Sequence, residues 1–184
     1  MPQTLLALFA LMLTSTFALQ QSRHTLHTEM NMVRQEATTQ ARGVASEVFA
    51  EVANLAFDEV THTAEGTVSV TDLTPEPFEE GKLFSDATDV DDVHRMVPHL
   101  VTRTVARPDG TFSTLTFAVT ATVDYAVIQS EGGEEVMAPT ADNARTYTKL
   151  VTLHVRCLDL DNAGWGNATL LTLARPFAYS PSRS

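Results

Sequence analysis

The chain has 184 residues and is 43% hydrophobic, enough for one domain of ordinary size plus an extended element but short of two full domains. Its 23 acidic residues against 12 basic ones give a formal net charge of −11, a field that repels nucleic acid and anionic lipid and argues against a nucleic-acid partner. Cys157 is the sole cysteine, which excludes an intrachain disulfide, a Cys-x-x-Cys zinc site and a dithiol redox pair.

The N-terminal segment is the most informative. Leu5 to Leu19, LLALFALMLTSTFAL, carries no charge, and the first basic residue is Arg23. Its length falls between a secretory h-region of about 7–15 residues and a membrane span of about 20. Behind it an apolar stripe continues at Leu26, Met30, Val33, Ala37, Ala41, Val44, Val48, Val52 and Leu55, in steps of 4, 3, 4, 4, 3, 4, 4 and 3. That spacing matches the helical repeat, and no proline stands between Pro2 and Pro75. One helix is therefore expected from about Thr4 to Phe57, apolar all round over 5–19 and amphipathic over 20–57, roughly 80 Å long. Leu26, Met30, Val33, Val44, Val48, Val52 and Leu55 are expected to pack it on a sheet, because the steps follow 3.6 residues and drift from a strict heptad. Gly43 is a mild weak point in it.

From Asp58 the pattern changes to β-rich runs. Thr67 to Val70 is a weak strand, and Asp72 to Asp92 reads as an acidic, proline-containing loop. Val97–Arg107 and Thr111–Gln129 read as a hairpin around Pro108-Asp109-Gly110. In the second strand Leu115, Phe117, Val119, Ala121, Val123, Tyr125 and Val127 alternate with Thr and Asp, giving one buried face to receive the helix. Glu131 to Glu135 reads as the start of a loop running on to Ala144. Arg145–Leu158 repeats the alternation through Tyr147, Lys149, Val151, Leu153 and Val155, and its Cys157 reads as a small, partly buried hydrophobe. Ala168–Ala174 is a last short strand. The expected fold is α+β, with a β head over 58–176 and an exposed tail over 177–184.

This order of elements resembles a type IV pilin or pseudopilin, and so do the phrases Ala53-Asn54-Leu55-Ala56-Phe57-Asp58, Asp89-Val90-Asp91-Asp92 and Tyr147 to Val155. The resemblance covers nearly the whole chain. It implies a structural filament subunit that waits in the inner membrane and then assembles with identical or homologous subunits through its N-terminal helix. Leu5, Leu6, Leu8, Phe9, Leu11, Met12, Leu13, Phe17 and Leu19 would be its filament-core packing residues, and the filament would be extracellular. No Glu precedes Glu29, so the family's early-glutamate pairing has no counterpart here. The alternatives are a minor pseudopilin of a secretion apparatus, or a secreted soluble binding module whose signal peptide is cleaved near Thr16-Phe17-Ala18.

Enzymatic signatures are absent: there is no HExxH, GxSxG, P-loop or dinucleotide fingerprint. His24 and His27 read as solvated helix positions. Asp86, Asp89, Asp91 and Asp92 read as a solvated acidic loop, calcium being the lesser alternative, since the EF-hand spacing is missing. No catalytic, cofactor-binding or metal residue is assigned, and no cofactor is expected. Asn167-Ala168-Thr169 fits a glycosylation acceptor in a surface turn.

Overall fold

A proline-free run of good helix formers has nothing to interrupt its hydrogen-bond ladder, and residues Pro2–Val52 form one helix, α1, of 51 residues and about 76 Å. The computed structural model describes residues 2–63, 68–106, 110–131, 134–140, 144–160 and 169–179, except the side chains of 2–8, 10, 63, 130, 131 and 134. Two units divide the chain, residues 1–39 and 40–184.

In the first unit the described side chains from Leu11 to Glu36 are all exposed. Leu26, Met30 and Val33 are among them. Periodicity defines an apolar face but not what covers it. Further along, Ala37 is buried, and in the second unit Ala41, Val44, Ala45, Val48, Phe49 and Val52 are buried in the core, with Leu55 partly buried against it. The helix also stops at Val52, short of Phe57. Asn54 Nδ2 bonds the Ala50 carbonyl, and Ala56 leaves the axis to exchange backbone bonds with Thr88 and Val90. A short helix, α2 (Glu59–Thr63), follows.

The sheet is antiparallel and five-stranded: β1 (His99–Ala106), β2 (Phe112–Glu131), β3 (Glu134–Pro139), β4 (Thr148–Cys157) and β5 (Leu171–Ala178). The order is β1-β2-β4-β5, with β3 pairing the far end of β2. The fold is α+β. Alternation along β2 turns Phe117, Val119, Ala121, Val123 and Tyr125 inward, and that along β4 turns in Lys149, Val151, Leu153, Val155 and Cys157. Gly110, at φ 80°, supplies the left-handed residue that the β1–β2 turn needs; Pro108 and Asp109 lie outside the described residues.

Two segments depart from expectation. The stretch after Gly133 is strand β3, because its backbone finds partners on the overhang of β2 from Ala126 to Glu131. The chain beyond Pro176 is no exposed tail through Tyr179. Pro176 sits opposite Leu150 within β5, tolerated because β5 is an edge and a missing N–H there orphans nothing. Phe177 and Tyr179 pack against the core. The long acidic loop is not merely solvated either: Leu73, Phe78, Val90, Val93 and Met96 fold it over the core.

Candidate assembly surface and a buried charge cluster

Apolar side chains stand in water along the first unit of α1. Phe9 is 66% and Phe17 69% exposed, and Leu11, Met12, Leu13, Leu19, Leu26, Met30, Met32 and Val33 are exposed as well. Leu5, Leu6 and Leu8 lie on the α1 backbone with side chains outside the described residues. A run of this kind exceeds the isolated apolar exposure normal on a soluble monomer and makes this face a candidate interaction surface. The hydroxyls interspersed at 14–16 do not spoil it. Ser15 Oγ donates to the Leu11 carbonyl at 2.7 Å and Thr16 Oγ1 to Met12 at 3.0 Å, while Thr14 Oγ1 bonds Leu11 at 3.1 Å. Hydroxyls satisfied within their own helix can be dehydrated at low cost. His24 and His27 are exposed, as expected. Among the described residues, no helix is long and apolar enough to cross a membrane.

The second feature lies in the head. Lys149 occupies an inward position of β4, and its side chain is wholly buried, as is that of Asp58 just beyond α1. Asp91 and its neighbours Asp89 and Asp92 are buried too, which corrects the reading of a solvated acidic cluster for those three; Asp86 is exposed. The loop is drawn inward because its charges have partners there. Lys149 Nζ donates to the Phe57 carbonyl at 2.7 Å and to Asp58 Oδ2 at 3.1 Å, and it lies 2.7 Å from Asp91 Oδ1. The ammonium also sits 4.4 Å from the Phe57 ring centre, 5.3 Å from that of Tyr125 and 5.6 Å from that of Phe78.

The two carboxylates facing Lys149 differ. Asp58 accepts the Thr74 backbone N–H at 2.9 Å, the Val60 N–H at 3.2 Å and the Thr74 hydroxyl at 3.2 Å. Burial works against its ionisation, but the Thr74 N–H and the Lys149 charge hold its carboxyl below the usual range. Asp91 has no such cradle. Burial pushes it up to about 7, with Lys149 opposing only in part. It is held by the close ion pair with Lys149 alone: among the described residues, no other hydrogen bond reaches either oxygen.

The rest of the loop is tied separately. Asp92 accepts Lys82 Nζ at 2.5 Å, the Thr88 N–H at 2.9 Å and the Thr88 hydroxyl at 3.0 Å. Asp89 receives the Asp92 N–H at 3.0 Å and, mainly through burial, has its carboxyl raised. Among the described residues, no group of three or more His, Cys, Asp or Glu is arranged to hold a metal. Asn167 lies outside the described residues. Sequence reasoning did not assign Lys149, Asp58 or Asp91 to a site. The available signal was a lysine in phase with Val151, Leu153 and Val155, hence on the buried face.

No protein-family model, no curated protein and no solved structure matches the chain.

Proposed function

We propose that the chain is a structural subunit of a type IV pilus-like extracellular filament, assembled through the apolar part of α1, with the β head facing outward. The single observation that carries this reading is the exposed apolar run from Phe9 to Leu19, continued by the exposed Leu26, Met30 and Val33, on a helix of 51 residues. Burying it against identical helices removes apolar surface from water at about 25 cal/mol per Å², and repetition along a helical array supplies the same surface to every subunit. Inner-membrane residence before assembly serves the same end, by keeping that surface out of water. The order of elements, a long helix followed by an antiparallel sheet, supports the pilin resemblance.

Phe9→Asp and Phe17→Asp test the reading. Each places a charge within the proposed core while leaving the head, residues 40–184, untouched. Electron microscopy is expected to show filaments from the wild type and none from either variant, with unchanged thermal unfolding of the head. Normal filaments from both variants would refute the proposal.

A further inference from the structure

The Lys149 cluster brings an amine, two carboxyls and a ring of apolar side chains together out of water, the components an amide condensation needs. We propose that Lys149 and Asp91 become joined by an intramolecular amide bond, formed by the folded head itself with Asp58 as the proton-transferring residue.

Three features of the geometry argue for it. Asp91 Oδ1 lies 2.7 Å from Nζ, so the amine and the carboxyl group it is to react with are already held in direct contact, which removes the entropy cost of bringing them together. Among the described residues, no other hydrogen bond reaches the Asp91 oxygens, so none would have to be broken. The Phe57 carbonyl and Asp58 Oδ2 hold the other two N–H bonds of Lys149, which fixes the remaining position of the nitrogen toward Asp91. Phe57, Phe78 and Tyr125 around the nitrogen keep out the water that would favour the free acid and amine.

The step balances without a co-reactant. The ammonium proton facing Asp91 passes to that carboxylate, leaving a neutral amine with its lone pair toward a neutral carboxylic acid. Burial favours this direction of transfer, since it removes two charges from a dry site. Nζ then attacks Cγ of Asp91, and the C=O electron pair moves to oxygen. Asp58 Oδ2 takes one of the two remaining N–H protons and returns it to the departing hydroxyl, which leaves as water while the carbonyl re-forms. The ammonium and carboxylate of the pair become one amide and one water, and Asp58 is regenerated. The bond would close the chain between the loop and β4, locking the loop against the sheet.

Intact mass spectrometry of the full folded chain under denaturing conditions tests this, with circular dichroism confirming that the protein had folded. The expected mass is about 18 Da, one water, below that of the sequence. Digestion should yield one branched peptide joining the segment holding Lys149 to that holding Asp91. Lys149→Arg, which retains the charge, and Asp91→Ala, which removes the carbonyl, should both show the unreduced mass, and Asp58→Asn should form the bond on the order of 100-fold more slowly. Full mass in the folded wild type would overturn the proposal. So would a mass loss whose branched peptide joins Lys149 to Asp58, or one with no branched peptide.

Discussion

Lys149 and Asp91, 58 positions apart in the sequence, meet with Nζ 2.7 Å from Oδ1 beneath a loop that would otherwise carry its acids into solvent. The pair, with Asp58 alongside, makes the loop part of the head. Removing the cation alone would leave carboxylates buried without compensation. Lys149→Met is therefore expected to cost about 3–5 kcal/mol, whereas Lys149→Met with Asp91→Leu should recover part of that loss because fewer charges stay buried. Urea denaturation midpoints of the two variants check this; equal midpoints would contradict it.

Phe49 predicts a second large effect. It is the largest apolar side chain that α1 buries, tilted against Phe177 at 6.3 Å between ring centres, with the Arg175 guanidinium 4.9 Å from its ring centre. Phe49→Ala removes the filler and both ring contacts, and is expected to cost about 3–5 kcal/mol in chemical denaturation. Leu26→Ala, at an exposed position of the same helix, should change the stability of the head by no more than about 0.5 kcal/mol.

Asp92 sets an acid-side dependence. Burial opposes its ionisation, but hydrogen bonds from Lys82, the Thr88 N–H and the Thr88 hydroxyl hold its carboxyl below the usual range. A carboxyl depressed in the folded state stabilises above its unfolded pKa of about 3.9, and that contribution is lost as pH falls through the lower folded value. Asp92→Asn should therefore be less stable than wild type at pH 7 by about 1–3 kcal/mol, with the gap narrowing below pH of about 4. Thermal melts of both proteins from pH 7 to pH 2 measure the gap, and a constant difference would contradict this assignment.

The architecture was legible where a periodic signal met a single possible cover. Phe117 to Tyr125 alternate on a strand, and Val44, Val48 and Val52 recur at helical spacing, so both faces could be read and both are buried. Leu26, Met30 and Val33 carry the same signal and are exposed, a difference that periodicity cannot express. β3 escaped notice because Glu134 and Glu135 look like loop residues, and its partner is the overhang of β2, a matter of register rather than of local pattern. The charge cluster was half legible. Lys149 sits in phase with buried residues, but Asp91 is picked out from Asp86 and Asp89 only by a fold that pairs residues far apart in sequence.

The central claim rests on the exposed apolar helix. Protein sheared from the surface of cells that make this chain, measured for intact mass and N-terminal sequence while the same sample is viewed by electron microscopy, tests it most directly. The account predicts thin filaments whose subunits retain the segment from Leu5 to Leu19. Soluble particles whose chains begin near Leu19 would contradict it and leave a secreted domain in its place.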